Sequence, residues 1–169
     1  MLKSKKKIAP MIIAFPDNQV NILDYNRVVK TNLKFEKIKE IISKNFSLKI
    51  SKMNKKLKNN QIEMYANKKW YTIKPLKQSK ELDVIILRKL ILDKIIKNRK
   101  NIDFVSGYKG KKALENFVNF KKYNLAFRLY PTNISQVLSF AEKKKYMPQK
   151  STWFHPKPLD GLISSRIIS

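Results

Sequence analysis

Between Pro10 and Phe15 the chain is apolar and then stops at Pro16-Asp17-Asn18, the pattern of a strand followed by a turn. Val20 to Leu23 reads as the returning strand. Thr31 or Asn32 is placed to cap a helix that sets Phe35, Ile38, Ile41 and Ile42 on one face. Leu48 and Ile50 mark a short strand. Ser51 to Asn60 is almost wholly polar, rich in lysine and asparagine, and predicts a solvated loop. Ile62 to Tyr65 and Trp70 to Ile73 flank Ala66-Asn67-Lys68-Lys69 as the arms of a hairpin. The strongest helical pattern runs from Leu82 to Ile96, with apolar residues at 82, 85, 86, 90, 92 and 96.

From there the pattern alternates. Ile102 to Val105 predicts a strand ending at Ser106-Gly107. Lys111 to Phe120 predicts a helix with Leu114, Phe117 and Val118 inward. Leu125 to Tyr130 is a strand stopped by Pro131. Asn133 is placed to cap a helix facing inward with Ile134, Val137, Leu138 and Ala141. Met147 to Pro158 holds three prolines and should be irregular, and Leu162 to Ile168 reads as a final strand. Hairpins among these elements predict an α/β (α+β) fold: a mixed, largely antiparallel sheet with about four helices. Residues 1–9 read as a basic disordered start, and residues 10–169 as a single domain.

Composition narrows the function classes. With 43% hydrophobic and 11% aromatic residues in 169, the chain has enough apolar surface for a core. It has no cysteine, which excludes a disulfide framework, a thiolate zinc site and a cysteine nucleophile. A reducing cytoplasm permits such a composition, and cytoplasmic is the expected location. The longest apolar run, Val84 to Leu87, is far short of the roughly 20 residues a bilayer span needs. Asp17 interrupts the N-terminal apolar stretch before any secretory cleavage pattern.

The net charge of +26 attracts polyanions without a specific site, so weak nonspecific binding is expected, and a basic nucleic-acid-binding module is one functional reading. Its make-up weakens that reading. Arginine occurs only at 27, 88, 99, 128 and 166, and lysine supplies the rest. Bidentate recognition of phosphate and guanine favours the planar fork of arginine. Lysine, asparagine and isoleucine are enriched together, as AT-rich coding would produce.

Few residues offer chemistry. His155 is the only histidine, and no carboxylates stand paired at helical spacing, so no metal site is expected. No phosphate loop, dinucleotide fingerprint or nucleophile elbow is present. Ser106-Gly107-Tyr108-Lys109-Gly110 has the order of a strand-to-helix loop that offers backbone amides to an anion, or of a plain tight turn. Met147 to Lys157 gathers Lys150, Ser151, Thr152 and Lys157 with Trp153 and Phe154: either a donor set for phosphate or carboxylate, or an aromatic clamp on a sheet edge. Leu23 to Val29 closes the first hairpin and holds Arg27, an anion ligand or half of a surface pair with Asp24.

The segments Ile22 to Lys30, Ile102 to Gly107, Leu129 to Thr132 and, most of all, Met147 to Lys157 with Gly161-Leu162 resemble the bacterial domain-of-unknown-function family 1015. In order and spacing the resemblance runs from Pro10 to Ile168. Members of that family are similar to the ParB and sulfiredoxin superfamily and to archaeal free-serine kinases, and are typically more than twice this length. Their Asp-Gly-His-His-Arg signature lies in an N-terminal half that this chain lacks; its one Asp-Gly, Asp160-Gly161, is followed by Leu162. The resemblance implies the C-terminal half of a split or truncated protein whose intact form handles phosphate on serine or phosphoserine. It implies a nucleotide in that intact protein and a separate N-terminal half as partner. It places no catalytic residue here; Arg27, Lys150, Ser151, Thr152 and Lys157 are expected as substrate-side or interdomain contacts.

Overall fold

The computed structural model describes residue 14 and residues 16–52, 57–79, 81–120 and 122–157. Eight strands are present among them: β1 (Asn21–Leu23), β2 (Tyr25–Val29), β3 (Phe46–Ile50), β4 (Ile62–Ala66), β5 (Lys69–Pro75), β6 (Ile102–Ser106), β7 (Leu125–Leu129) and β8 (Trp153–His155). Six form one sheet in the order β3-β5-β4-β7-β2-β6, with every neighbouring pair antiparallel. β1 and β8 pair as a separate antiparallel ribbon. Four helices accompany them. α1 is Phe35–Ser43, α3 is Gly110–Asn119 and α4 is Ile134–Glu142. α2 runs through three consecutive pieces, Asp83–Leu87, a π-helical Arg88–Leu92 and Asp93–Ile95.

Strand alternation divides the core into two layers. Ile62, Met64 and Ala66 of β4, Leu125, Phe127 and Leu129 of β7 and Val29 of β2 face one way, against Ile38 and Ile42 of α1 and Leu87, Ile91 and Ile95 of α2. Their neighbours Tyr65, Ala126, Val28 and Val105 face the other way, against Leu114 of α3 and Tyr123. Helices therefore cover both faces of an antiparallel sheet. The second layer also contains an acid: Glu63 accepts from Lys111 Nζ at 2.9 Å and from Arg128 Nη1 at 3.0 Å. That pairing lets an ionised side chain occupy a central strand.

The antiparallel sheet with four helices matches the expected class, and most elements fall where the pattern placed them. Several details differ. The strand at Asn21–Leu23 pairs with β8; its expected hairpin partner at 10–15 lies outside the described residues except for Ala14, as does the final strand at 162–168 and the basic start. Within the cluster from Leu23 to Val29, Asp24 separates β1 from β2, which is a fully formed strand in the sheet interior. The tail is irregular only up to Thr152; Trp153–His155 pairs with β1 despite Pro156. Helix α1 is capped by neither Thr31 nor Asn32. Thr31 instead donates from Oγ1 to the Ile95 carbonyl at 2.6 Å. In α4 no residue is buried and Leu138 is 52% exposed; Phe140 makes the core contact.

Candidate functional site

The alternation that buries Val29 also points Arg27 to the α1–α2 face, two residues earlier on β2. Its partner across the ladder is Phe104 of β6, the edge strand. The guanidinium carbon lies 5.5 Å from the centre of the Phe104 ring. Arg27 is almost fully buried, and burial lowers its pKa to about 10, with Asp24 pulling the other way. It stays charged at neutral pH. Nη1 donates to the Tyr25 carbonyl, and Nη2 donates to the Lys150 carbonyl at 2.9 Å. The expected surface pair with Asp24 does not form: both residues are buried, and the fork holds backbone instead.

The bond to Lys150 ties β2 to the tail. Ser151, next along, is buried; its Oγ donates to the Pro148 carbonyl at 2.6 Å, and its carbonyl accepts from Thr132 Oγ1 at 3.2 Å. Lys150 has φ +56° and sets its Nζ 5.3 Å from the Tyr25 ring centre. Lys157 Nζ lies 4.3 Å from the centre of the Trp153 ring. Thr152 is partly buried between them. The structure thus brings Arg27, Lys150 and Ser151 together, through backbone carbonyls, and leaves Lys157 on the β8 side. His155 stacks on Tyr108, with ring centres 5.0 Å apart, in a packing role.

The Ser106–Gly110 loop does not present its first amide to solvent. Gly107 N–H donates to the Asp24 carbonyl at 2.8 Å. A Cβ there would stand 2.3 Å from Asp24 Oδ1, so only glycine allows this approach. Close packing on Asp24 explains the glycine.

Where the sheet runs out from under α2, a cleft of about 430 Å³ opens. Three of its walls are arginines: Arg27 from β2, Arg88 from the π-helical part of α2 and Arg99 from the turn before β6. Val84, Leu92, Ile102 and Phe104 form apolar walls, Asp93 adds one carboxylate, and Pro148 and Gln149 of the tail close one side. Arg88 approaches Asp93 no nearer than 3.9 Å with both side chains about half exposed, a pair too loose to hold its fork. Arg99 makes no ion pair among the described residues. The sequence has five arginines, and three of them meet here. Sequence reasoning named Arg27 alone. Scarcity of arginine was the available signal; the π segment and the fold that bring 27, 88 and 99 together were not visible in any local pattern.

Comparison with known proteins bears on this arrangement. A family model described as "Protein of unknown function (DUF1015)" matches residues 5–93. The tail at 147–157, on which the resemblance leaned most, lies beyond that match. No curated protein matches the chain. Among solved structures, a conserved hypothetical protein from Pyrococcus furiosus superposes with a TM-score of 0.58 at 15% identity, over 85% of this chain and 60% of that one. A mutant free serine kinase superposes at 12% identity over 85% of this chain and 57% of its own, with a TM-score of 0.54 for its AMP complex and 0.52 for its ADP complex. At such identities the likeness is one of fold. The chain spans about 60% of the length of the solved structures it resembles.

Proposed function

The chain belongs to the DUF1015 family, and from that premise we propose that it supplies the anion-holding part of a protein that handles phosphate on serine or phosphoserine. Its place in that protein is the C-terminal half. The proton-transfer and phosphate-transfer groups come from an N-terminal half. A nucleotide belongs to the assembled protein.

One observation supports this reading most: the convergence of Arg27, Arg88 and Arg99 on one cleft in a chain that has only five arginines among its 38 basic residues. Planar forks bind phosphate and carboxylate oxygens in pairs through charge-assisted bonds, and the exposed Arg88 and Arg99 are placed to do so beside the buried charge of Arg27. Phosphoserine carries both anionic groups. The fold likeness to a free serine kinase is in keeping with it. The tail supports the site by fixing Arg27 through the Lys150 carbonyl. Ser151, with its hydroxyl on Pro148, shapes that loop, and Lys150, Thr152 and Lys157 remain candidate contacts at its rim.

Calorimetric titration of the full chain with phosphoserine and with inorganic phosphate tests the reading. Saturable binding is expected, weakened at least about tenfold, or about 1.4 kcal/mol, in Arg88→Ala and Arg99→Ala combined. Both side chains are exposed, so the double variant should fold. No binding of either ligand, or equal binding by the variant, overturns the proposal.

A further inference from the structure

A second, smaller recess lies between the β1–β2 junction, the start of α2 and the segment after β7. Asp24, Asp83, Thr132, Ser151, Asn59 and Gln136 are among its walls. Its interior leaves about 10 Å³ for the centre of a water-sized particle, which is room for a single one. The surrounding recess, about 320 Å³ including solvent at its mouth, admits further water.

Two walls are carboxylates that make no direct ion pair among the described residues, although Arg128 and Arg27 act on Asp24 through space. Among the described residues Glu40, Glu63, Glu81, Asp93 and Glu115 each lie within 4 Å of a lysine or arginine nitrogen; Asp24 and Asp83 do not. Glu36, Asp103 and Glu142 make no ion pair either, but they are exposed to water, whereas Asp24 is buried and Asp83 partly so, and both lie on one recess. Asp24 is only 6% exposed, and its Oδ2 has no hydrogen-bond partner among the described residues. Its other oxygen faces Gly107. Burial raises the pKa of both acids, but only to about 6 for Asp83, so that group is still largely ionised at pH 7. A buried carboxylate without a partner is costly, and a bound cation removes the cost.

We propose that Asp24 and Asp83 hold a hard divalent cation of Mg²⁺ size in this recess. Carboxylates, hydroxyls and amide oxygens are hard donors, and no thiolate or imidazole is among the walls, so zinc-type ions are disfavoured. No group of three or more His, Cys, Asp or Glu stands together among the described residues. Two carboxylates plus water suit Mg²⁺, which dehydrates reluctantly, better than Ca²⁺, which takes six to eight oxygens. Asp24 and Asp83 lie 59 positions apart in sequence, on a strand junction and a helix start, so no helical spacing could announce the pair. The inference stands apart from the anion reading, since nothing in it requires phosphate.

The test uses the full chain in phosphate-free buffer at moderate salt, with Mn²⁺ as the probe, read by electron paramagnetic resonance. The +26 charge repels cations in general, so any saturable uptake reports a site. One saturable Mn²⁺ site is expected, displaced by Mg²⁺, lost in Asp24→Asn and in Asp83→Asn, and kept in Glu142→Gln on the far end of α4. Mg²⁺ should raise the Tm of the wild type and not of Asp83→Asn. If Asp24→Asn fails to fold, the partly exposed Asp83 decides the matter alone. Absence of saturable binding, or binding unchanged in Asp83→Asn, means the recess holds water only, and the proposal fails.

Discussion

Asp83 opens helix α2 with a carboxyl raised to about 6 by burial, while the Asn60 backbone N–H pulls it back. Its folded pKa lies above its ordinary value, so between about pH 4 and pH 6 the folded chain binds more protons than the unfolded one. Asp83 therefore contributes stability below about pH 4 that is lost as the pH rises through 6. Discounted for partial exposure, the loss is on the order of 1–2 kcal/mol. In EDTA, Asp83→Asn should match the wild type in Tm at pH 4 and exceed it at pH 7 by about 2–6 °C. Equal melting curves at pH 7 would show the carboxyl to be unstrained. Glu63 is the contrast: it is as deeply buried as Arg27, yet two cations reach it directly. Both acids look like ordinary surface residues in the sequence. Burial of a charge depends on which strand or helix end the fold turns inward, and neighbours 48 and 65 positions away decide whether it is matched.

The β4–β5 hairpin shows what local pattern does carry. Two alternating apolar runs and an Asn in the gap predicted it, and the register confirms Ile62 opposite Ile73 and Ala66 opposite Lys69. Both turn residues, Asn67 at φ +48° and Lys68 at φ +60°, sit in the left-handed region that two-residue hairpins of the primed type require. Asparagine tolerates this and lysine does not. Lys68→Gly removes that strain and adds some unfolded-state entropy; the balance should stabilise by about 0.5–1 kcal/mol, a rise in Tm of about 1–4 °C. A thermal melt showing no rise would place the strain elsewhere. The Asn133 cap was equally legible, with a reciprocal bond to Gln136 completing a capping box. Long elements were harder. The apolar residues of 82–96 fit one α-helical face, and Leu82, Ile86 and Leu92 of that face are buried; through the π segment the core also takes in Val84, Leu87, Ile91 and Ile95 and leaves Ile85, Leu90 and Ile96 only partly buried. The α4 face mispredicted because Phe140, counted on no apolar stripe, is its anchor. β8 was hidden because three residues beside prolines carry no period; only their pairing with β1 makes them a strand.

The two segments singled out as landmarks, 22–30 and 147–157, are distant in sequence and adjacent in space, joined by the β1–β8 ribbon and by the Arg27 bond to Lys150. Their association was implied by resemblance, while the cleft they frame with α2 depended on the order in which strands enter the sheet. That order, with β7 inserted between β4 and β2, is a long-range property that no window of sequence contains. The +26 charge acts on the same molecular scale. Like charges spread over a fold of this size repel, and added salt screens them: the screening length falls from about 30 Å at 0.01 M to about 3 Å at 1 M. Tm should therefore rise with NaCl and level off once screening is shorter than the spacing between lysines. The same titration separates the functional readings. Attraction of DNA by scattered lysines rests on counterion release, so its affinity should fall steeply and linearly on a log–log salt plot. Phosphoserine held by arginines in a partly desolvated cleft engages few charges, so its affinity should decline with a much shallower slope. DNA affinity that stays flat with salt would exclude the basic surface as a nucleic-acid module, and phosphoserine binding that vanishes at 0.5 M would reduce the cleft to the same general attraction of anions.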